Sequence, residues 1–562
     1  MRRTFFLPLL AALALAWPGA HAQSTPAAPS SPADAVRTLL APWNRPGMPG
    51  AAVSITLDGR IVQQVQAGAA DLEQGTPITP DSVFHIASVS KQFTAFAILL
   101  LEQDGRLSID APLARYLPEA ARWPPMTLRQ LLNHTAGLRD FGTLMRAAGW
   151  RDEDLLTDDQ VLRMVLRQRA GNAAPGTAYQ YNNTGYALLG EVVRRVSGKS
   201  LRAFCEERIF RPLGMHDTRI ADDIAERVPG RVPSWQSSGD GYVRAVLGSA
   251  TTGSTGVLST AADLSRWALN FETHTVGNAT LFARMQEQGR LADGTINFYA
   301  LGQERHAWRG LDTWSHGGRD AGYRSFLLRI PGERFSVAVV ANANDVDASE
   351  IAYGIAERYL SHRPAYRAPP RDSSRPNRRQ LASYAGDYEL FPGYFFRLAT
   401  DGQRLLLSTL DDARPTELPA LSARRFLLSG KFNQVLEFAD DGAGPPARLQ
   451  FVIGQYGRID APRVTLAAFD PAGVRAEDFA GRYHSDELDT DYVLTAEDRQ
   501  LRISHPRWPA ATLHAYQRDR FRSSAWFLQK IAFRRDGSGR VTGFLLSGPV
   551  AQDIVFERVA DR

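Results

Sequence analysis

The chain has 562 residues, of which 44% are hydrophobic and 22% are charged. This is the composition of a globular protein, and the length suggests several domains. The formal net charge of +5 is small for such a length, so charge alone does not predict a nucleic-acid-binding protein. After the N-terminal region no uninterrupted apolar stretch approaches the ~18 residues that a membrane-spanning helix needs, so we expect no integral membrane span.

The first residues have the pattern of a secretory signal peptide, which we assign to residues 1–22. Arg2 and Arg3 form the basic start, an apolar run follows from 5 to 17, and Ala20-His21-Ala22 is a small-x-small cleavage site. The apolar run is too short to span a bilayer. We therefore expect cleavage near Ala22 and a periplasmic or secreted mature protein.

A β-hairpin and a buried helix are predicted in the first part of the mature chain. Residues 51–57 and 61–65 flank Asp58-Gly59, a strong hairpin signal. Residues 93–101 are apolar nearly all round, as in a helix buried in a core, and Gly105 supplies a helix stop.

Ser88 and Lys91 stand at the predicted start of that helix, and their spacing of three places both side chains on one face. A serine hydroxyl is a poor nucleophile until a base takes its proton, and a desolvated lysine can lose its charge and serve as that base. Chance is the alternative explanation of so short a pattern. The chain otherwise uses arginine, which stays protonated in proteins. Its only lysines are Lys91, Lys199, Lys431 and Lys530.

Strands, a helical middle and further strands make up the predicted N-terminal domain, residues 33–362. Helical patterns prevail from about 106 to 250 and recur at 260–271 and 349–360. Strand-like runs lie at 325–330 and 335–340. This order predicts a sheet whose two halves join around a helical insert.

The C-terminal region contains an internal repeat behind a linker, which we place at 363–380 because it is rich in Pro, Arg and Ser. The matches keep a nearly constant offset, and each copy has short alternating runs with Gly-rich turns. They include Tyr384-Ala385-Gly386 with Phe479-Ala480-Gly481, and Arg425-Phe426 with Arg520-Phe521. We predict two small antiparallel β-barrels or sandwiches at 381–470 and 474–562.

Two further motifs carry chemistry. Tyr181-Asn182-Asn183 places a phenol and a carboxamide two residues apart on a predicted loop, so that both can face one cleft. His316-Gly317-Gly318 lies beside the predicted strand 325–330, and glycines at a strand edge let a substrate backbone come close.

Together, Ser88-Val89-Ser90-Lys91, Tyr181-Asn182-Asn183 and His316-Gly317-Gly318 resemble the three signature motifs of the penicillin-recognising serine hydrolases in order and spacing. That family includes class C β-lactamases, D,D-carboxypeptidases, esterases and D-aminopeptidases. The resemblance covers residues 35–362, and the doubled C-terminal unit resembles the paired lipocalin-like barrels of D-aminopeptidases. It implies an α+β fold, namely a β-lactamase/transpeptidase-like α/β sandwich with a helical insert, followed by two small antiparallel β-barrels.

The resemblance also implies acyl transfer in two steps, with roles for particular residues. Ser88 is the expected nucleophile, and Lys91 and Tyr181 share the role of base, with the holder of the proton left open. Asn183, His316, Gly318 and Arg319 are the expected substrate-binding residues, Arg319 through its backbone N–H in the oxyanion hole. No residue is marked as the base for deacylation.

The third motif departs from the Lys-Thr-Gly or Lys-Ser-Gly of the penicillin-directed enzymes. His316 is mostly neutral at neutral pH, whereas a lysine would hold a substrate carboxylate. This favours a D-aminopeptidase-like peptidase or amidase, with an esterase or a β-lactamase-type hydrolase as the alternative. A penicillin-binding sensor without turnover is the alternative of another class.

The expected partner is a small-molecule or peptide substrate, with no nucleic acid, no cofactor and no metal, and the oligomeric state is open. The acidic run 486–491 has two readings. It is a solvated loop, or it folds over the cleft and recognises a substrate ammonium group.

Overall fold

A computed structural model describes residues 32–560 except 240, 369–373, 411, 413, 430–433, 440–443 and 454–456. The predicted signal peptide lies outside the described residues. In the described part, no helix has the length and apolar character that crossing a membrane requires.

Helices and strands alternate up to residue 360, and strands dominate the rest of the chain. The helices are α1 (Pro32–Leu40), α2 (Lys91–Gln103), α3 (Leu128–Leu132), α4 (Phe141–Ala147), α5 (Asp158–Arg167), α6 (Asn183–Ser197), α7 (Leu201–Cys205), α8 (Ala261–Thr273), α9 (Ala279–Met285), α10 (Ala348–Leu360) and α11 (Arg378–Tyr384). The strands up to residue 360 are β1 (Ala51–Leu57), β2 (Arg60–Ala67), β3 (Ala69–Asp71), β4 (Thr76–Pro77), β5 (Phe84–His85), β6 (Leu156–Thr157), β7 (Arg219–Ile220), β8 (Ser234–Ser238), β9 (Gly241–Ala245), β10 (Ser249–Ala250), β11 (Val257–Ser259), β12 (Glu304–Trp308), β13 (Leu311–Asp320), β14 (Tyr323–Ile330) and β15 (Phe335–Ala341). The later strands are β16 (Gly386–Phe391), β17 (Tyr394–Thr400), β18 (Leu405–Ser408), β19 (Thr416–Leu418), β20 (Arg425–Ser429), β21 (Gln434–Phe438), β22 (Arg448–Ile453), β23 (Gly457–Val464), β24 (Gly481–Ser485), β25 (Thr490–Glu497), β26 (Gln500–His505), β27 (Trp508–Gln517), β28 (Arg520–Arg522), β29 (Lys530–Arg535), β30 (Val541–Ser547) and β31 (Ile554–Val559).

The main sheet of the N-terminal domain joins strands from both ends of that domain, in the order β12-β13-β14-β15-β1-β2. Its central strand β15 is buried along its whole length, and so is nearly all of β1. Continuous apolar strands of this kind need cover on both faces. Helices α1 and α10 pack on one face, with Val36 and Ile355 in the shared core. Helix α8 packs on the other face with Leu264.

The predicted hairpin, helices and strands of this domain are confirmed with small shifts at their ends. Strands β1 and β2 pair around the Asp58-Gly59 turn. Helix α2 is buried through its first eleven residues, from Lys91 to Leu101, and Gly105 has φ +72° just beyond its end. The α/β sandwich is therefore built as the order of the elements predicted, with the helical residues between β5 and β12 inserted between its two halves.

The C-terminal repeat forms two barrels of the predicted kind. The described part of the first has eight strands in the order β19-β18-β17-β16-β23-β22-β21-β20. In the second, whose strands are all described, β24 to β31 close into a barrel.

The repeated glycine has one structural reason in both barrels. Gly386 and Gly481 have φ +152° and +146°, a conformation that favours glycine. A Cβ on either would meet the guanidinium of Arg463 or Arg558 at 2.7 Å or 2.9 Å. The repeated aromatic hydroxyls also match, since Tyr388 donates to the carbonyl of Tyr384, and Tyr483 to that of Phe479.

Helix α11 begins at Arg378, two residues before the predicted end of the linker. Asn377 and Gln380 form a capping box at its start, with the Asn377 side chain accepting from the Gln380 N–H at 2.9 Å. The Pro- and Arg-rich composition upstream hid this local helix signal.

Candidate active site

Ser88 lies on a tight turn between β5 and α2. Residues Ala87–Ser90 form a 3₁₀ turn, and the α-helix starts only at Lys91. The expectation of Ser88 on the helix itself is therefore corrected, although the turn still places both side chains on one side. In the fully described segment 82–101, Ser88 is the one residue that is not buried.

The turn is held by neighbours rather than by local preference. Ala87 has φ +47°, an unusual value for a residue with a Cβ. The Ser90 hydroxyl accepts from the Val257 N–H at 3.1 Å, and the Ser325 hydroxyl donates to the Ile86 carbonyl at 2.6 Å. Strain at such a turn persists only where the surroundings fix it, which is common at active sites.

The Lys91 ammonium group is buried and has three hydrogen-bond partners. Its Nζ donates to Ser88 Oγ at 3.1 Å, to Asn183 Oδ1 at 2.8 Å and to the Ser254 carbonyl at 2.8 Å. Burial lowers the pKa of Lys91 to about 7, and the carboxylates of Asp140 and Asp320 oppose this shift. A substantial fraction of Lys91 is thus neutral near pH 7 and has a lone pair beside the Ser88 hydroxyl.

Tyr181 also borders this lysine, with Lys91 Nζ 4.9 Å from the centroid of the Tyr181 ring. Burial raises the pKa of Tyr181 well above its ordinary value, against the opposing effect of a hydrogen bond with the Ser88 side chain. The phenol therefore keeps its proton while Lys91 loses its own. Between the two candidate bases, the environment favours Lys91 as the proton acceptor and Tyr181 as a proton donor.

Asn183 is fixed by Asp140, which sequence reasoning missed. Asn182 caps the start of α6, its side chain accepting from the Gly185 N–H at 2.9 Å, and this orients the Tyr181-Asn182-Asn183 segment. The Asn183 N–H donates to Asp140 Oδ2 at 2.7 Å. Asp140 also caps α4 by accepting from the Gly142 N–H at 2.9 Å, and that N-cap is its only local sequence signal.

The third motif lies on a strand. Strand β12 pairs with β13 only as far as Ser315, so within the described residues no strand pairs with 316–320 of β13 on that side. Gly318 faces the Ser88 turn so closely that a Cβ there would lie 2.3 Å from the Ile86 carbonyl oxygen. The backbone of this edge, including the exposed residue Arg319, is therefore adjacent to the nucleophile.

Both ring nitrogens of His316 are already hydrogen-bonded. Its Nδ1 lies 2.7 Å from the Gly317 carbonyl, which can only accept, so Nδ1 carries the proton. Its Nε2 lies 2.8 Å from the hydroxyl of Tyr299, which sequence reasoning did not single out. Burial and the nearby Lys91 lower the pKa of His316 to about 3, so the ring is neutral. A substrate contact through either nitrogen requires one of these bonds to be exchanged.

The rings of His134, Tyr181, Tyr186, Tyr299 and His316 form an aromatic cluster. The His134 ring centroid lies 4.4 Å from those of both Tyr181 and Tyr299. Its Nδ1 accepts from the Asn182 N–H at 3.1 Å, which holds the loop of the second motif in place. Burial keeps the pKa of His134 well below its ordinary value. This arrangement supports a structural role for His134.

Asp320 provides a second unpredicted carboxylate at the end of β13. Its Oδ2 accepts from the Thr255 hydroxyl at 3.2 Å, and Thr255 follows Ser254, whose carbonyl binds Lys91. The side chain is 29% exposed and lies 4.0 Å from His85 Nδ1. Among the described residues, its second oxygen has no hydrogen-bond partner, so it can accept a further donor.

Three carboxylates of the acidic run 486–491 pair with arginines of the N-terminal domain. The side chain of Glu487 is 3% exposed and pairs with Arg139 at 2.8 Å. Asp489 pairs with Arg167 at 2.8 Å. Asp486 pairs in the same way with Arg169, at 2.9 Å. All three carboxylates bind arginines of the N-terminal domain, but only Glu487 is buried, since the side chains of Asp486 and Asp489 are 64% and 65% exposed. The solvated-loop prediction is therefore wrong for Glu487 and fits Asp486 and Asp489, and recognition of a substrate ammonium group by this run stays a prediction.

A family model described as Beta-lactamase matches residues 33–360. The D-aminopeptidase of Cereibacter sphaeroides is 27% identical over 530 residues, which cover 91% of this chain and 96% of that protein. The D-aminopeptidase of Brucella ovis is also 27% identical, over 92% of this chain and 97% of its own length.

Solved structures share the fold at lower identity. An octameric penicillin-binding protein homologue from Pyrococcus abyssi superposes with a TM-score of 0.53 at 24% identity, covering 73% of this chain and 96% of that one. A penicillin-binding protein from Bacillus halodurans gives a TM-score of 0.51 at 22% identity, with 58% and 99% covered.

Proposed function

The chain belongs to the beta-lactamase family of serine hydrolases, and from that premise we propose that it is a D-aminopeptidase-like peptidase or amidase acting through an acyl-enzyme on Ser88. The observation that carries the proposal is that D-aminopeptidases match this chain over nearly the whole of both lengths, the two barrels included. We also propose the domain division at 33–362, 381–470 and 474–562, and export after cleavage near Ala22.

Acylation begins with neutral Lys91, which accepts the proton of the Ser88 hydroxyl 3.1 Å away. The Ser88 oxygen attacks the substrate carbonyl, and the oxyanion is held by the backbone N–H groups of Ser88 and Arg319. The carbon–nitrogen bond then breaks. The leaving amine takes a proton from the Tyr181 phenol, which recovers one from the Lys91 ammonium group.

Deacylation repeats these steps with water. Lys91 and Tyr181 relay the proton of the attacking water, the ester bond to Ser88 breaks, and the proton returns to the Ser88 oxygen. The neutral His316 offers no charge to a substrate carboxylate, which supports substrates with a free amino group beside the scissile bond. Asn183 accepts a hydrogen bond from Lys91 Nζ, and we assign its amide a contact with the substrate as well.

Turnover of D-alanine anilide and L-alanine anilide, with wild type and Ser88→Ala, tests the proposal. We expect release from the D-isomer alone, and none with Ser88→Ala. Release from neither anilide, with good turnover of short-chain esters, contradicts the aminopeptidase and leaves an esterase. A lasting penicillin adduct on Ser88 without turnover of any substrate identifies a sensor instead.

A further inference from the structure

The second barrel, β24 to β31, contacts the N-terminal domain at the two residues that precede α4. The loop between β30 and β31, residues 548–553, lies against Asp140. The Asp140 N–H donates to the Val550 carbonyl at 2.9 Å. Asn172 bridges to the same loop, with its Nδ2 donating to the Val550 carbonyl and its Oδ1 accepting from the Gln552 N–H, both at 2.9 Å.

Arg139, the neighbour of Asp140, is buried in this contact. Its Nη1 donates to Glu487 Oε1 at 2.8 Å, and the two side chains are only 2% and 3% exposed. Its Nε and Nη2 donate to the carbonyls of Gln552 and Asp553 at 2.8 Å and 2.9 Å. A buried ion pair of this kind is stable only while both charges keep their partners, so removal of one partner is strongly unfavourable.

Asp140 connects this contact to the lysine. Its Oδ2 accepts from the Asn183 N–H at 2.7 Å, and Asn183 Oδ1 accepts from Lys91 Nζ at 2.8 Å. These hydrogen bonds, together with the residues Asp140 and Asn183 that they share, therefore link the Val550 carbonyl to the amine beside Ser88. Each acceptor is buried or half-buried, so solvent competes little with any link.

Six charged or titratable groups lie near Lys91. Asp140 comes from the start of α4, and Asp320 comes from the end of β13. The other groups belong to the aromatic cluster and are His134, Tyr181, Tyr186 and His316. Among the causes that shift the pKa of Lys91, Asp140 comes directly after burial, and it acts to raise the value.

We propose that the second barrel is a working part of the active site, because it holds Arg139 and Asp140 in the position from which Asp140 orients Asn183 and Lys91. Asp140 is a positioning residue, and Glu487 is the anchor of the barrel that fixes it. The proposal rests on the proposed role of Ser88 and Lys91. It adds that hydrolysis depends on docking of a domain that contains none of the reacting groups.

The test compares Glu487→Gln with Asp489→Asn in the full-length protein. Both remove one carboxylate from the same loop, but Asp489 and its partner Arg167 are 65% and 46% exposed. We expect Glu487→Gln to lower kcat for a short-chain ester by about tenfold to a hundredfold with little change in KM, since small displacements of catalytic groups act on the chemical step. We expect Asp489→Asn to match wild type.

The pH profile separates positioning from loss of structure. If Asp140 moves away in Glu487→Gln, Lys91 loses a neighbour that raises its pKa, and the acid limb of kcat/KM shifts to lower pH. An unshifted profile and a wild-type kcat in a folded Glu487→Gln protein overturn the proposal. So does an equal effect of Asp489→Asn.

If Glu487→Gln does not fold, Asn172→Ala tests the same proposal. This variant removes the hydrogen bonds to Val550 and Gln552 and leaves no buried charge without a partner. The same fall in kcat and the same shift of the acid limb are expected, and wild-type behaviour overturns the proposal. The ester assay keeps the two proposals apart. An enzyme that hydrolyses esters but no D-alanine anilide loses the aminopeptidase assignment, while the dependence of its kcat on docking is still measured.

Discussion

At the scale of single residues, the chemistry follows from burial. The same desolvation lowers the pKa of Lys91 and raises that of Tyr181, because each group loses stability in its charged form. The sequence motifs predicted which residues meet, but they left open which one holds the proton. That answer depends on burial and on Asp140 and Asp320, which are distant in sequence from Lys91.

The pH dependence of hydrolysis reports the protonation of Lys91 directly. With its pKa near 7, Lys91 is protonated below that pH and cannot accept the Ser88 proton. We expect kcat/KM for an uncharged ester to rise by about tenfold per pH unit below about pH 7 and then to level off. A profile that stays flat down to pH values near the ordinary pKa of a carboxylate contradicts the assignment of Lys91 as the base.

Asp320 is a partly exposed carboxylate beside Thr255 and His85, and one of its oxygens has no partner among the described residues. This gives Asp320 a predicted role in specificity. Asp140 uses both oxygens on backbone N–H groups, and the carboxylates of the acidic run pair with arginines. If Asp320 attracts the substrate ammonium group, Asp320→Asn should lower kcat/KM for D-alanine anilide by about tenfold or more.

The prediction for Asp320→Asn has two controls, a substrate without an ammonium group and a second variant on the same strand. N-acetyl-D-alanine anilide has no ammonium group, so we expect Asp320→Asn to leave its turnover unchanged. Asp312→Asn lies at the other end of β13 in an exposed pair with Arg305 and should affect neither substrate. An equal loss with both anilides would assign Asp320 a structural role instead.

At the scale of elements, local pattern predicted the β-hairpin, the buried helix α2 and the central strands β14 and β15 well. It misplaced Ser88, because the 3₁₀ turn is imposed by Val257 and Ser325, which are far away in sequence. It also could not predict that the open edge of β13 would lie against that turn. This edge exists only because β12 stops pairing at Ser315.

Gly318→Ala tests how closely that edge must approach Ser88. The new methyl group would lie 2.2 Å from Ser325 Oγ and 2.3 Å from the Ile86 carbonyl oxygen, so the strand or the turn must move. We expect a loss of about a hundredfold in kcat, comparable to the removal of an oxyanion-hole donor. Gly332→Ala, where a Cβ meets nothing within 4 Å, is the matched control and should have wild-type kcat. Wild-type activity of Gly318→Ala would show that the edge takes no part in the reaction.

At the scale of the whole molecule, the two barrels were predictable from their repeat, but their placement was not. The local sequence of the acidic run predicts a loop, and Glu487 comes into contact with Arg139 only in the folded chain. Long-range pairing of this kind has no signal in local composition. The result is a C-terminal domain that supports the loop of Asp140 instead of standing apart from the catalytic domain.

Salt distinguishes the buried part of this interface from its rim. Ions screen exposed pairs such as Arg167 with Asp489, but they screen the buried pair of Arg139 and Glu487 much less. Raising the ionic strength from about 0.1 M to about 1 M should therefore leave kcat for a neutral ester nearly unchanged. A steep fall in kcat over that range would mean that the exposed pairs hold the barrel in place.

The most direct test of the account traps the acyl-enzyme. Rapid quenching of wild type with a D-alanyl ester, followed by peptide mass spectrometry, should place one acyl group on the peptide that contains Ser88. The adduct should be absent in Ser88→Ala and should form far more slowly in Lys91→Arg, because arginine cannot give up its proton to act as a base. Lys199→Arg, an exposed lysine paired with Glu207, should match wild type. An acyl group on another residue, or full turnover by Ser88→Ala, would contradict the claim that Ser88 is the nucleophile and Lys91 its base.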